Sequence, residues 1–344
     1  MLMQDGVNTF IFELGSAMME RGIDVNILGG CGQVSGTDVR KRAQYMFDVN
    51  RVPPVVLLKD GVFRSILQKI AYWTVRGPRA LHEFRPEAMI MNGVLPLYSK
   101  AFRVAVCHGL RNQGTYPPAQ KYYDILMYRR VDRIVAVAEP LRKELAMELG
   151  LKDVVIIPIG LDTRKYAYRS YEGRNMAILQ VGTRSVKNLK TTLQAFKTIA
   201  TEIPEARLFV TGSTCVSEYS LDQKTREKVS FLNIISKQEL RRLYSEVLIV
   251  CAPSYYEAFH YATLEAFASG TPVVGSEAIP NELLINDFNG FKVSNPADHC
   301  ELAHHCINLL TDALKWKKLS RNARTTALKY DIRKVVDSYL TLIQ

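Results

Sequence analysis

The 344-residue sequence lacks the short motifs that define several common classes of enzyme. It contains no C-x-x-C pair, no H-E-x-x-H, no D-x-D and no G-x-S-x-G. These absences argue against a structural zinc site, a zinc protease and a hydrolase with a serine nucleophile. Three histidines on a late predicted helix, His299, His304 and His305, lack the matching carboxylates of a metal motif. We therefore expect no metal site.

Long apolar runs and a disulfide pattern are also missing. No apolar run reaches about 18 residues, so we expect no transmembrane helix. The first ten residues lack the basic and apolar regions of a signal peptide, and we expect a cytoplasmic protein. Four of the six cysteines lie in or beside apolar segments, which suits reduced thiols better than a disulfide framework.

The charge is basic and unevenly distributed. Of the net charge of +11, the window from Arg40 to Arg111 carries +9, with thirteen Lys and Arg against four Asp and Glu. Such an excess suits nucleic acid, an anionic membrane or phosphorylated substrates. No aromatic–basic platform or recognition helix is present, which argues against nucleic acid. The segment Phe63–Arg85, with Trp73 among basic residues, predicts either a peripheral contact with the inner face of a membrane or a domain helix that packs its apolar stripe inward.

The length predicts two domains, and strands alternate with helices along both halves. This rhythm predicts an α/β protein of two tandem domains with parallel sheets, whose ligand crevices at the strand carboxyl ends face one interdomain cleft. We assign 1–165 to the first domain, 166–325 to the second and 326–344 to a C-terminal helix that packs back on the first. Residues 313–344 are predicted to be helical apart from a break near Tyr330. The polar segment 168–175 is the predicted linker. The chain starts in a glycine loop before a helix predicted from Val7 to Arg21. Because a strand normally precedes such a helix, we expect that the first strand is missing or that the start codon is misplaced.

The stretch from Cys251 to Ser276 has the most distinctive pattern. An apolar strand breaks at Pro253, and Glu257 and Glu265 follow, eight residues apart. We predict that Glu257 lies before or at the N-terminus of a helix and that Glu265 lies two turns inside it. Two carboxylates at a strand-to-helix turn can accept hydrogen bonds from a polyol, and the first also suits the positive end of the helix. The alternative is two solvated glutamates, which the apolar neighbours of Glu265 disfavour.

Three further clusters follow or adjoin predicted strand ends. Gly6 lies in a small loop at a helix N-terminus that can bring amides to a phosphate, or it marks a plain turn. His108 ends a strand beside a glycine and is either functional or structural. After the strand that ends at Gly182, Arg184 and Lys187 precede a helix, where they either flank a diphosphate or are solvated loop cations.

The stretch SYYEAFHYATLEAFASGTPVVGS resembles the signature of the retaining nucleotide-sugar glycosyltransferases of family 4, of group 1 type, which have the GT-B fold. Its E-x7-E runs from Glu257 to Glu265. The segments VCHG, VVIIPIGLD, VGTRSVKNLKTTLQAF and NDFNGFKV resemble the family in the same order, so the resemblance covers nearly the whole chain. It implies transfer of a sugar from a nucleoside-diphosphate sugar to a hydroxyl of a glycan or lipid-linked glycan, with retention and without metal or cofactor.

The resemblance also implies roles for individual residues. Arg184 and Lys187 would neutralise the leaving diphosphate, and Glu265 would bind the donor ribose. Glu257 would lie against the donor sugar, with His108 at the reacting centre from the acceptor side. The remaining implied donor contacts come mainly from backbone near the sugar, the phosphates and the base: Gly6, Gly182, Asn233, Ile234, Ala258, Phe259 and His260.

Two departures from the family pattern support an alternative. The family usually has glycines where this chain has Ala258 and His260. A catalytically silent paralogue that binds a sugar nucleotide or a partner glycosyltransferase is therefore the second hypothesis. A sugar-nucleotide epimerase on the same architecture is disfavoured, because the E-x7-E block is typical of transferases.

Overall fold

The computed structural model describes residues 6–29, 55–59, 81–82, 85–94, 99–110, 117–213 and 221–344. Most of the basic window from Arg40 to Arg111 and nearly all of the segment Phe63–Arg85 lie outside the described residues. The chain divides into two compact units. The first comprises Met1–Leu161 and Ile332–Gln344, and the second comprises Asp162–Asp331.

The first unit contains a six-stranded parallel sheet in which the strands lie side by side in chain order. The strands are β1 (Val25–Gly29), β2 (Val55–Lys59), β3 (Ala88–Asn92), β4 (Phe102–Cys107), β5 (Arg133–Ala136) and β6 (Val155–Ile156). Every residue of β3 is buried, as expected for a strand with both faces covered.

The helices α1 (Gly6–Glu20), α2 (Pro118–Tyr128) and α3 (Glu139–Leu149) accompany this sheet. The predicted helix from Val7 is confirmed as α1. A proline in the first turn starts α3, and Gly150, with a φ of 67°, ends it in the left-handed conformation that glycine adopts without strain.

The second unit also has a six-stranded parallel sheet, but its strand order is β12-β11-β10-β7-β8-β9. The strands are β7 (Asn175–Val181), β8 (Arg207–Thr211), β9 (Val229–Phe231), β10 (Val247–Ala252), β11 (Val273–Ser276) and β12 (Gly290–Val293). Within this unit the chain enters the sheet at the central strand β7 and adds β8 and β9 on one side. It then returns to place β10, β11 and β12 on the other side of β7. The order therefore reverses between β7 and β10, and in open α/β sheets ligands bind where the order reverses. Two tandem parallel-sheet domains are confirmed.

Six helices are described in this unit: α4 (Leu189–Glu202), α5 (Gln223–Arg226), α6 (Lys237–Glu246), α7 (Tyr261–Ala268), α8 (His299–Thr311) and α9 (Ala313–Lys329). Ser236 and Glu239 form a reciprocal capping box at the start of α6. The side chains of Asp298 and Asp312 cap α8 and α9. Helix α5 has four residues, which are too few to show helical periodicity in the sequence.

The predicted linker 168–175 is wrong, because it lies inside the second unit. Arg174 is buried and donates hydrogen bonds to the carbonyls of Tyr244, Val247 and Ser269, with its guanidinium 4.9 Å from the ring of Trp316. Burial lowers the pKa of Arg174 to about 10, so it stays charged at neutral pH. The polar composition of the segment reflects this contact with helix ends rather than a free linker.

The predicted helix break near Tyr330 is confirmed, since α9 ends at Lys329 and a last helix, α10 (Ile332–Ile343), follows. Helix α10 belongs to the first unit and packs on α1, where the rings of Phe10 and Tyr339 lie 6.3 Å apart. None of the described helices is both long and apolar enough to span a bilayer.

Candidate active site

The Cys251–Ser276 stretch forms the end of β10, a loop, the eight-residue helix α7 and β11. His260 is the N-cap of α7, so Glu257 lies in the loop and Glu265 is the fifth residue of the helix. Glu257 therefore precedes the helix, as predicted. Glu265 lies in the second turn rather than two full turns inside, because the helix begins only at Tyr261. All eight residues of α7 are buried, which explains its apolar sequence.

Lys187 and Glu257 meet at the point where the strand order of the second sheet reverses. Lys187 closes the 3-10 turn that follows β7, and Glu257 lies in the loop that follows β10. The Lys187 Nζ is 2.6 Å from Glu257 Oε1, and the side chains are 15% and 11% exposed. The amide of Tyr255 donates to the carbonyl of Val186 at 2.9 Å and joins the two loops.

Gly182 lets the lysine lie close to the end of β7. Its φ is +89°, and a Cβ at this position would lie 3.4 Å from Lys187 Cγ. Arg184, in contrast, is exposed and makes no ion pair with any described residue. The two cations predicted to act as a pair therefore have different surroundings in the structure.

His260 lies beside Glu257 and is itself buried. Its Nδ1 is 2.6 Å from Thr263 Oγ1, and its Nε2 is 3.7 Å from Glu257 Oε1. Burial, together with the charge of Lys187, lowers the pKa of His260 to about 4, so the imidazole is neutral at neutral pH. This contact gives His260 a structural environment that its place in the motif did not predict.

Glu257 is ionised in spite of its burial. Burial alone would raise the pKa of this carboxyl, but the electrostatic effects of His260 and Lys187 and the hydrogen bond from Lys187 together lower it. Since His260 is neutral at neutral pH, we attribute the net direction to the ammonium of Lys187. The pair thus keeps a carboxylate and a cation together in a largely buried place.

Glu265 is held by three donors and is only 3% exposed. The Tyr166 hydroxyl and the Lys237 ammonium donate to Oε1 at 2.8 and 3.0 Å, and the Tyr244 hydroxyl donates to Oε2 at 3.0 Å. Burial, followed by the charge of Glu265, raises the pKa of both tyrosines well above the usual value, so both remain donors. Sequence reasoning missed all three partners, since no local spacing links them to Glu265.

The residues predicted to contact the base lie just after β9. Asn233 has a φ of 54°, and its carbonyl accepts from the amide of Gly212 at 2.8 Å, which fixes the turn. The next residue, Ile234, is 52% exposed. An exposed apolar side chain on a fixed turn is a suitable surface for the face of an aromatic base.

The loop before α7 also presents backbone donors. Phe259 is buried with its ring edge-to-face against Tyr330 at 5.8 Å, which anchors the loop. The amides of Ala258, Phe259 and His260 donate no hydrogen bond to any residue that the structure describes. Together with the N-terminus of α7, they favour an anionic or hydroxyl-bearing ligand.

The first unit places His108 directly after β4 and Asn92 at the end of β3. Because these neighbouring strands are parallel, the two side chains meet, with His108 Nε2 2.7 Å from Asn92 Oδ1. The ring of Phe10, from α1, lies edge-on to the imidazole at 5.4 Å. Gly6 is the first residue of the same helix. Among the described residues, no group of three His, Cys, Asp or Glu side chains is arranged to hold a metal ion.

Family models match both halves of the chain. The model for "Glycosyltransferase Family 4" matches residues 4–165, and the model for "Glycosyl transferases group 1" matches residues 162–326. The chain therefore belongs to the glycosyltransferases of this group, as the resemblance in its sequence predicted. 

Curated relatives are more distant. The chain is 25% identical over 211 residues to the MMP alpha-(1->4)-mannosyltransferase of Mycolicibacterium hassiacum, a match that covers 58% of this chain and 51% of that protein. It is 40% identical over 80 residues to the O-antigen chain mannosyltransferase RfbU of Salmonella typhimurium, which covers 23% of this chain and 22% of that protein. The chain spans about half the length of the first of these relatives.

Solved structures show the same fold over nearly the whole chain. HepE from Anabaena, in complex with UDP and glucose, superposes with a TM-score of 0.75 at 15% identity, covering 98% of this chain and 96% of HepE. WaaG, a glycosyltransferase involved in lipopolysaccharide biosynthesis, gives a TM-score of 0.69 at 14% identity, covering 93% of this chain and 99% of WaaG. The fold is GT-B, as predicted.

Proposed function

We propose that this protein transfers a sugar from a nucleoside-diphosphate sugar to a hydroxyl of a glycan or lipid-linked glycan, with retention of anomeric configuration. The observation that carries the proposal is the Lys187–Glu257 pair at the reversal of strand order, 2.6 Å between charged atoms. A cation held at that place, beside amides that donate to no described residue, suits a leaving diphosphate.

The chemistry follows from charge. As the bond between the sugar and the diphosphate breaks, negative charge grows on the phosphate oxygens, and fixed donors lower the free energy of that transition state. Lys187 and the amides of Ala258, Phe259 and His260 are the proposed donors, with Arg184 at the exposed side. Because these groups stabilise the negative charge that develops on the diphosphate, we propose that transfer needs neither metal nor cofactor.

The carboxylates take the remaining parts of the donor. Glu257 is proposed to accept hydrogen bonds from the sugar, and Glu265 from the ribose hydroxyls, while Asn233 and Ile234 contact the base. Gly182 leaves room for Lys187, and Gly6, at the start of α1, is proposed to approach the phosphates. His108, fixed by Asn92, is proposed to serve the acceptor side.

Incubation with UDP-glucose, UDP-N-acetylglucosamine and GDP-mannose, an acceptor extract and EDTA tests the proposal. UDP is included because HepE binds it, and GDP-mannose because two relatives are named mannosyltransferases. The expected product keeps the anomeric configuration of the donor by NMR. An inverted product would contradict retention, and loss of activity in EDTA would contradict metal independence.

The silent paralogue remains the alternative because Ala258 and His260 replace the usual glycines. It predicts binding of a nucleotide sugar without transfer or hydrolysis for every donor. If the protein is an active enzyme, the variant His108→Ala should abolish transfer and leave donor binding unchanged.

The basic segment Phe63–Arg85 supports a further proposal about the partner surface, made from sequence alone. We propose that it contacts an anionic membrane on its inner face, where a lipid-linked acceptor would lie. Flotation with vesicles of phosphatidylcholine and phosphatidylserine should recover the protein at low salt and release it at high salt. The proposal would be overturned if the amount of protein recovered with the vesicles did not depend on the phosphatidylserine content or on the salt concentration.

A further inference from the structure

The hydrogen-bonding capacity of Glu265 limits what else it can bind. A carboxylate has two oxygens and about four acceptor positions. Tyr166, Tyr244 and Lys237 use three of them. The two adjacent hydroxyls of a ribose bring two further donors, so five donors would share about four positions.

Lys237 is the donor best able to leave. Tyr166 and Tyr244 are buried, and their phenols stay protonated. The side chain of Lys237 is 29% exposed and extends from the first residue of α6 on a flexible four-carbon stem. Its ammonium also lies 5.6 Å from the ring centroid of Tyr261, a weak contact that does not hold it on Glu265.

We propose that Lys237 competes with the ribose hydroxyls for Glu265, so that a nucleoside diphosphate must displace this lysine to bind. The inference rests on the proposed function, since it takes Glu265 as the ribose ligand. Lys237 would then help to set the affinity for the sugar nucleotide. Its ion pair with Glu265 neutralises the carboxylate, and binding of the ribose breaks that ion pair. A partly exposed pair of this kind is worth up to about 1 kcal/mol, which corresponds to about a fivefold change in Kd.

Calorimetric titration of Lys237→Met with UDP and with 2′,3′-dideoxyuridine diphosphate tests the proposal. Methionine keeps the stem and removes the donor. We expect the Kd for UDP to fall about three- to fivefold relative to the wild type. The Kd for the dideoxy compound should be unchanged, because a nucleotide without these hydroxyls does not compete with Lys237. Lys237→Arg should keep the wild-type Kd for UDP.

The control is Lys224→Met, which removes an exposed lysine of the same unit that has no contact with Glu265. It should leave both Kd values unchanged. Thermal unfolding in each variant checks the fold, and Lys237→Gln replaces Lys237→Met if the latter does not fold.

Two results would overturn the inference. Weaker UDP binding by Lys237→Met would make the lysine a direct nucleotide contact. An equal change for UDP and its dideoxy analogue would show an effect of charge alone. These failures differ from failure of the proposed function: if the wild type binds none of UDP, GDP and ADP, Glu265 is not a ribose ligand and both proposals fall.

Discussion

The two glutamates of one motif lie in contrasting surroundings. Glu257, in the loop before α7, faces a single ammonium at 2.6 Å and a neutral imidazole at 3.7 Å. Glu265, in the second turn of that helix, is held by two phenols and a lysine. A neighbouring charge thus lowers the pKa of Glu257, whereas three hydrogen-bond donors fix the orientation of Glu265. Spacing alone conceals this difference.

The largest expected effect comes from removing the cation on the Glu257 side. Lys187→Ala should lower kcat about 10²- to 10³-fold, because one fixed donor to a developing charge is lost. The measurement is the initial rate of transfer at saturating donor. Lys190→Ala, an exposed lysine at the start of α4, is the matched control and should retain wild-type kcat. Equal rates in both variants would remove Lys187 from the mechanism.

The substitution Arg174→Leu should destabilise the second unit around Glu265. Tyr244 lies near the end of α6, which carries two of the Glu265 partners, and Ser269 follows α7, which carries Glu265 itself. Both residues offer carbonyls to Arg174. Leaving such buried acceptors unsatisfied should lower the free energy of unfolding by about 3 kcal/mol. Denaturant unfolding measures it, with the exposed Arg226→Leu as control. A loss similar to that of the control would show that the guanidinium is dispensable.

Glu265→Gln sharpens the contrast between the two carboxylates. The amide nitrogen must face a tyrosine or lysine donor, so one acceptor is replaced by a donor. We expect about a tenfold weaker Kd for UDP, corresponding to one hydrogen bond of about 1.4 kcal/mol. Titration with the dideoxy analogue is the control, and it should show little difference between the variant and the wild type. A tenfold loss for both nucleotides would indicate a rearranged site.

The smallest expected effect is a pH dependence that belongs to the Glu257 side. The pKa of His260 falls to about 4 in the folded protein, against an unfolded value of about 6.5. Between these values the unfolded chain binds the proton and the folded chain does not, so stability decreases as pH falls through this window. The unfolding midpoint should therefore drop more steeply in the wild type than in His260→Gln. Parallel curves would contradict the assignment.

Much of the fold was predictable because parallel strands and their helices leave local signals. The apolar runs of β7 and β10 and the periodicity of α1 and α4 are examples. The stop of α9 before Ile332 was also visible in the sequence. The linker prediction failed because Arg174 is polar for a reason that only its distant carbonyl partners reveal.

The site was predictable only where its residues lie in one motif. The E-x7-E spacing indicated Glu257 and Glu265, and the loop after β7 indicated Lys187. Tyr166, Tyr244 and Lys237 left no such signal, because they reach Glu265 from separate parts of the chain. Tertiary packing, rather than any local pattern, selects these donors.

The main-chain hydrogen bond from the Tyr255 amide to the Val186 carbonyl has a consequence for protein engineering. The two loops that carry Lys187 and Glu257 are fastened through main-chain atoms, which every residue except proline supplies at the donor position. The side chain of Tyr255 is 53% exposed and can be exchanged for other residues while that fastening persists. Position 255 is thus a suitable place to attach a fluorophore beside the Lys187–Glu257 pair.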